Sequence, residues 1–552
     1  LPRVRAKRRP EFRRFLLKRP ARTTSFDPAP PKSSLSEGDR RPRSNRRRVF
    51  SSPQSTTVGY DGALPHIEFS PPSEFRRSMP HAVIRIPLLP AMLGLVIAAS
   101  SSPAAEPTIS IRSDFPGGNV LVVENKGSEV RLAPDLRGGA SWFYWHFEAT
   151  ASNPGKATFT FPGSPIIGVN GPALSVDGGK NWRWLGSEHV RYADTKKPRA
   201  EQNESFVYDF TDEHRRIRFA VAIPYLPADL EAFLTKLADN PHLKRSFLTK
   251  TRSGTPVELL QIGQPGDGRK AMLVTARHHA CEAMASYVLE GFVDEAVSDS
   301  WAGREFRAKY ALFVVPLVDK DGVAAGDQGK NRSPHDHNRD YGELPIYPEI
   351  AAIQELAAAF DIRHTLDLHC PALRGDIHEA FHFLGLGLPR VKNNTDEFIG
   401  RVKEERPQAV GAPLNFLADS TKPGAINRKI GSHYFATTPG NVTAATLEIP
   451  YAVPNNPFDA DMARSYGAAL LRAWTATTFV SHESEVRSRE NSFAELLALR
   501  TEFSRSYRGR PDAMAKMLHE LPKAHPFQVE AHNLRALLLA HQKQYAAALR
   551  AC

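Results

Sequence analysis

From Pro227 onward the chain alternates helical stretches with largely apolar strand runs: Ala271 to Thr275, Ala311 to Val318, His364 to Leu368 and Ala444 to Ile449. Strands with little polar surface must be covered on both faces, and strands joined by helix-length crossovers pair in parallel. The expected architecture is therefore α/β: a mixed, mostly parallel sheet flanked by helices, with any ligand site at the carboxyl ends of its strands. Before it, from about Thr108 to Ile223, short alternating segments are broken by Gly, Pro and Asn: Val120 to Val123, Trp142 to Phe147, Thr158 to Phe161, Phe206 to Phe210 and Arg216 to Ile223. That spacing points to an antiparallel β-sandwich. After about Glu485 the pattern is helical, and Val529 to Ala551 reads as two apolar-periodic helices, a single repeat-like unit that needs a surface to dock on. The expected organisation is a sandwich over 106–227, an α/β domain over 228–484 and a helical extension over 485–552.

Charge is confined to the amino-terminal stretch. Residues 1–78 carry 19 Lys and Arg against 7 Asp and Glu, which accounts for the whole net charge of +12; the other 53 basic and 53 acidic residues balance. An electroneutral folded part gives no reason to expect a nucleic-acid partner. Residues 1–78 lack methionine and apolar periodicity, so they read as a disordered basic segment or as untranslated. Met79 opens a signal-like pattern with Arg85, an apolar run from Ile86 to Ala99, and Ser102-Pro103-Ala104-Ala105. Residues 79–105 are thus expected to be a signal peptide and the protein to be exported, periplasmic or extracellular. The run of about 14 residues falls short of the ~20 that span a bilayer, so no stable membrane insertion is expected after cleavage. Three cysteines are too few for a disulfide scaffold.

Chemistry is concentrated where strands end. The run Ala271 to Ala276 leads into Arg277-His278-His279-Ala280-Cys281-Glu282 and then a helix with Met284, Val288, Leu289, Phe292 and Val293 on one stripe. His279 and Glu282 stand three apart at the helix entrance, so an imidazole nitrogen and a carboxylate can converge on one ion. A second His-x-x-Glu, His482 and Glu485, has nothing around it to complete a site and reads as helix surface. A catalytic zinc needs a third protein ligand, and His369 at the end of His364-Thr365-Leu366-Asp367-Leu368-His369 is well placed for it. His364 and His278 match by residue type alone, and any single histidine here also fits a hydrogen-bonded core position. The stretch from Asp319 to Tyr341, rich in guanidinium and amide groups, suits bidentate capture of a carboxylate and equally an ordinary solvated loop. Glu448 alternates with Leu447 and Ile449, so it either faces water or stands by the metal as a base.

Taken in order, His279-x-x-Glu282, Asp321-Gly322, Asp336-x-Asn338-Arg339, His369 and Glu448 resemble the zinc metallocarboxypeptidase family of the pancreatic carboxypeptidase type, over about Asp229 to Ser481. The segment before it, with Trp142-Phe143-Tyr144-Trp145 and Phe219 to Tyr225, resembles the amino-terminal domain of the cytosolic carboxypeptidase branch. The resemblance implies a zinc carboxypeptidase catalytic domain over 228–484, with one Zn2+ per chain held by His279, Glu282 and His369. It implies Glu448 as general base toward a zinc-activated water, Asn338 and Arg339 as the grip on the substrate's terminal carboxylate, and Asp336 as the partner that orients His279. Arg332, with Lys330 in reserve, is the candidate for stabilising the oxyanion, and Tyr434 or Tyr451 for the substrate-binding tyrosine. The implied reaction is hydrolysis of the C-terminal peptide bond of peptides or proteins.

Two other readings share much of this pattern. One is a zinc amidohydrolase or deacylase acting on small N-acyl amino acids, which activity on longer peptides would separate. The other is a zinc-retaining C-terminus-binding protein, which has no need of Glu448. Lys422, Arg428, Lys429 and His433 give the approach to Glu448 a basic character that suits a terminal Asp or Glu and also suits solvated surface. Cys281 and Cys370, beside the expected ligands, can close a disulfide or remain free, and the sequence leaves both open.

Overall fold

A computed structural model describes residues 106–481, apart from 138, 140, 141, 267 and 457. The expected basic segment, signal peptide and helical extension all lie outside the described residues. Among the described residues, no helix is long and apolar enough to cross a membrane.

Two five-stranded sheets come first. One runs in the order Ile109–Arg112, His146–Ala151, Arg216–Ala220, Ala173–Ser175, Arg183–Trp184, and the other Leu121–Lys126, Glu129–Ala133, Gly155–Phe161, Glu204–Phe210, Val190–Arg191. Their pairings are antiparallel except for Glu129–Ala133 beside Gly155–Phe161, which is parallel. The period-two pattern puts Ala157, Phe159 and Phe161 inward, where Phe159 meets Phe206 with ring centroids 4.9 Å apart and Phe219 at 5.4 Å. The expected strand Trp142 to Phe147 begins only at His146. Its first residues give their amides elsewhere: the Phe143 and Tyr144 N–H groups donate to Gln328 Oε1 at 2.5 and 3.3 Å.

The second half is built on an eight-stranded sheet in the order Leu243–Lys250, Pro256–Ile262, Tyr310–Val315, Lys270–Ala276, His364–His369, Thr443–Glu448, His382–Leu386, Leu414–Ala418. The four middle strands, from Tyr310–Val315 to Thr443–Glu448, are mutually parallel, and so is the last pair. The joins at Pro256–Ile262 and at His382–Leu386 are antiparallel. Successive residues of Lys270–Ala276 alternate between two cores. Met272 and Val274 pack toward the helices Ala283–Val297 and Ala460–Ala476, and Ala271 and Leu273 toward Pro348–Ala359 and Gly431–Thr437. Covering both faces is what the apolar runs demanded. The helices Ala283–Val297 and Ala460–Ala476 touch backbone to backbone at Gly291 and Gly467. A Cβ at 291 would lie 1.8 Å from Arg464 O, and one at 467 would lie 1.9 Å from Val288 O.

Three of the parallel strands end together, Asp367 lying in register with Thr275 and Thr446, and His369 with Glu448. Their carboxyl edge is the place the topology reserves for a ligand.

Candidate active site

The strand Lys270–Ala276 stops at Arg277, whose φ of 64° is rare for a residue with a side chain. The turn is held by that side chain, which donates to Ala280 O, to Tyr225 O at 3.1 Å and to Ser286 Oγ at 3.0 Å. It sends two consecutive histidines to different partners. His278 places Nδ1 2.9 Å from Asp367 Oδ1 and Nε2 2.8 Å from the Tyr341 hydroxyl. His279 places Nδ1 2.9 Å from Glu282 Oε1, and its Nε2 lies 3.4 Å from Asp336 Oδ1. Glu282 is the residue at which the helix Ala283–Val297 begins.

His369 completes the group. Its Nε2 lies 2.7 Å from Asp367 Oδ2, and its Nδ1 lies 2.9 Å from Glu282 Oε2 and 3.2 Å from His279 Nδ1. Each Nε2 faces an aspartate, which favours the Nε2–H tautomer of the neutral ring and turns Nδ1 toward the cluster. Glu282 Oε2 accepts no hydrogen bond despite its closeness to His369. Two ring nitrogens and a carboxylate converging in a buried space can hold a metal cation, and a nitrogen, nitrogen, oxygen donor set suits zinc. His278, Asp367 and His369 form a second cluster of possible donors. There, however, the carboxylate is already taken up by both imidazoles and by the Thr275 hydroxyl at 2.7 Å. Asp367 is the partner that orients His369, a role its place two residues earlier on the same strand face could have suggested.

Burial works against ionising these carboxyl groups, and their partners overcome it. Lys330, His279 and His369 hold Glu282 well below the ordinary glutamate range. His278 and His369 hold Asp367 low in the same way. His279 and Arg339 bring Asp336 down to about 2.

Glu448 ends its strand half-buried, with Oε2 buried and without a hydrogen-bond partner. Adjacent strands lie about 4.8 Å apart, so register pairing sets its backbone beside that of His369. On the other side, Asn338 is buried in the turn His337–Arg339, accepts from Gly431 N at 2.9 Å and sets Nδ2 3.4 Å from His369 Nε2. Arg339 is exposed and donates to Asn338 O at 3.0 Å. Tyr434 is buried on the helix Gly431–Thr437, under the Arg428 guanidinium at 5.3 Å and beside Tyr341. Tyr451 is buried too, donating to Cys281 Sγ at 3.4 Å. Cys281 and Cys370 are free, and burial pushes the Cys281 thiol up to about 12. Lys422 and Lys429 are exposed, while His433 Nδ1 accepts from Asn427 N at 3.1 Å.

Arg332 is not with this group. It forms a two-pronged pair with Asp319, at 2.8 and 3.1 Å, and reaches Asp327 at 3.4 Å. Asp319 in turn accepts from Gly322 N at the start of the helix Lys320–Ala325, so the arginine serves the architecture of the loop. Lys330 is the cation that enters the site, with Nζ 2.7 Å from Glu282 Oε1 and 2.8 Å from Cys370 O. Asn331, between them, has φ 55°.

Residues 230–358 match the zinc carboxypeptidase family. A cytosolic carboxypeptidase 2 of Xenopus tropicalis is 30% identical over 267 residues, which is 43% of this chain and 27% of that protein. A cytosolic carboxypeptidase 6 of Caenorhabditis elegans is 24% identical over 234 residues, 40% of this chain and 50% of that protein. The chain therefore spans half or less of the curated relatives it matches. Among solved structures, a metallo-carboxypeptidase from Pseudomonas aeruginosa superposes with a TM-score of 0.56 at 21% identity, covering 66% of this chain and 98% of that one. One from Burkholderia cenocepacia gives 0.54 at 21% identity over the same shares. These likenesses show the fold. The curated relatives are cytosolic carboxypeptidases, which overturns the expectation of export through a signal peptide at Met79.

Proposed function

We propose that this chain, which carries a zinc carboxypeptidase domain, is a zinc-dependent metallocarboxypeptidase that hydrolyses the C-terminal peptide bond of peptides or proteins. The observation that carries this reading is the convergence of His279 Nδ1, His369 Nδ1 and the Glu282 carboxylate, with Glu448 the register partner of His369 and its Oε2 without a hydrogen-bond partner. A zinc ion held by His279, Glu282 and His369 would supply a Lewis acid that polarises the scissile carbonyl and makes water acidic enough to react near neutral pH.

The chain's own residues supply the rest. Glu448 takes a proton from the attacking water and returns it to the departing amine. Asp336 and Asp367 fix the tautomers of His279 and His369, which keeps both Nδ1 atoms available as ligands. Arg339, with Asn338 at its base, pairs with a free terminal carboxylate and so limits cleavage to chain ends. Asn338 also accepts from Gly431 N, which ties the grip on the substrate to the helix Gly431–Thr437. The cytosolic relatives support a cytosolic setting, and the whole protein's substrates are to be sought among peptide and protein C-termini.

The test is digestion of peptides that differ only in their last residue, each with a free and an amidated end, with and without chelator. Chelator-sensitive loss of single residues from free ends is expected. Equal cleavage of amidated ends, or activity confined to N-acyl amino acids, would refute the reading.

A further inference from the structure

We propose that Glu349 is a positioning residue for the grip on the substrate's carboxylate: with its proton in place it holds the turn His337–Arg339 through His337, and without that proton Asn338 and Arg339 slacken. The inference rests on the carboxypeptidase reading above and deepens it, since it makes the hold on free chain ends depend on pH.

Behind the grip lies a buried row of three ionisable side chains that the reaction itself does not use. His337 opens the turn, and its ring lies on that of Tyr347 with centroids 3.8 Å apart. Nδ1 faces Asp319 Oδ2 and Nε2 faces Glu349 Oε2, each 3.9 Å away. The Nδ1 of His337, the Oδ2 of Asp319 and the Oε2 of Glu349 are all buried without a hydrogen-bond partner. Such bonds are ~2.7–3.2 Å long, so a side-chain shift of about 1 Å closes each gap.

Valence decides where the protons sit. A neutral imidazole offers one N–H and one lone pair. Asp319 is committed as an acceptor, taking the Gly322 N–H at 3.1 Å and the Arg332 guanidinium at 2.8 and 3.1 Å, so Nδ1 must bring the hydrogen. Nε2 then turns its lone pair to Glu349, and a carboxyl group can donate to it only while protonated. The complete chain is Glu349 O–H to Nε2 and Nδ1–H to Asp319. Once Glu349 is ionised, the single imidazole proton faces two carboxylates, and whichever one it leaves unserved is a buried charge against a lone pair.

The neighbouring groups set the pH at which this happens. The amino end of its own helix, Pro348–Ala359, and the charge of Arg252 favour ionised Glu349. Burial, with the charges of Asp319 and Asp321, outweighs them and raises the carboxyl to about 7. Burial, with Arg332 and the rings of His278 and His279 nearby, pushes His337 well below its ordinary value against the pull of Asp336, so the ring stays neutral. The proton that leaves to solvent near neutrality is therefore the one on Glu349.

The test measures kcat, KM and the Ki of the product peptide for the zinc-loaded protein from about pH 6 to about pH 8.5, with free-ended peptides and their amidated twins. In the parent, Ki for the free-ended product should rise by ~3-fold to ~30-fold over this range, the upper figure being the loss of the competent fraction for one group at about 7. Glu349→Gln keeps a donor toward Nε2 at every pH, so its Ki should stay nearly flat while the shape of its kcat profile follows the parent. His337→Phe keeps the stack on Tyr347 and removes both nitrogens; it should flatten Ki too, and it decides the matter if Glu349→Gln folds poorly. A parental Ki profile left unmoved by these substitutions, or an equally large pH effect on the amidated twin, would overturn the inference and leave the carboxypeptidase reading standing. A parent protein that removes no residue from free-ended peptides at any pH would overturn that reading, and this inference with it.

Discussion

His369 and Glu448 are register partners at the ends of neighbouring parallel strands, locked by the Ile449 N–H donating to His369 O at 2.8 Å. One ladder thus places both the candidate ligand imidazole and a carboxylate whose Oε2 has no hydrogen-bond partner. The separation between expected ligand and expected base does not depend on loop conformation. A base on rigid scaffolding suits a proton transfer whose efficiency depends on sub-ångström placement.

A metal held by this cluster would depend on its donors and on the carboxylates hydrogen-bonded behind them. The parent should hold about one zinc per chain, the stoichiometry of a three-ligand site, and His369→Ala should lose it. Asp367→Asn keeps the ligand but replaces the carboxylate at its Nε2, so affinity should fall ~10–100-fold. Metal analysis after dialysis against graded chelator separates the two variants. Full occupancy in His369→Ala would remove His369 from the site.

Glu448→Gln should retain zinc and bind substrate while turnover falls by at least ~10²–10⁴, the range for loss of a general base. Steady-state kinetics with parallel metal analysis checks this. Near-parental kcat would return Glu448 to the role of a solvent-facing strand residue.

Arg339→Ala should weaken free-ended peptides by roughly 1.5–3 kcal/mol, the scale of a hydrogen bond to a charged group. The effect on amidated peptides should be small. Comparing kcat/KM for the matched pair isolates the carboxylate contribution, and an equal loss on both peptides would refute the grip.

Glu349 gives a pH prediction outside the metal cluster. Burial, with the charges of Asp319 and Asp321, raises its carboxyl from 4.5 to about 7, and its Oε2 has no hydrogen-bond partner. A raised folded-state pKa means that the folded protein keeps this proton longer than the unfolded chain does. The stability it contributes is complete below pH about 4.5 and is lost as pH rises through about 7. Glu349→Gln, permanently uncharged, should therefore melt a few degrees above the parent at pH 8, since ~1 kcal/mol moves Tm by ~2–4 °C in a domain of this size. The advantage should shrink toward pH 4.5, and melting curves at both values decide the sign.

The sequence made the central sheet legible because Lys270–Ala276 and Tyr310–Val315 are buried on both faces and leave a mark no surface strand imitates. The ligand candidates were legible for a related reason: parallel strands end on one edge, so polar residues at strand ends meet. What could not be read depends on long-range or conformational detail. Trp142 to Trp145 has strand composition, yet Phe143 and Tyr144 give their amides to a side chain some 185 residues away. Arg332 and Lys330 are two residues apart in a basic loop, and which one enters the site is set by the fold around it: Asp319 and Asp327 hold Arg332, and Glu282 meets Lys330. Neither tyrosine carries a local signal, since Tyr434 is placed by packing on Tyr341 and Tyr451 by its bond to Cys281.

The loop that delivers Lys330 is fastened at its near end by the segments that connect the amino-terminal strands. Asn119 Nδ2 donates to Gly326 O at 2.8 Å, Arg137 pairs with Asp327 at 2.9 Å, and Gln328 receives the Phe143 amide. Three consecutive loop residues are thus anchored by a part of the chain that supplies no ligand. In terms of inheritance, a change at Asn119 or Arg137 would be felt through this loop, far from where it was made. A hybrid that grafts this α/β layer onto a foreign amino-terminal partner would carry every candidate ligand and still lose these three fastenings of the loop.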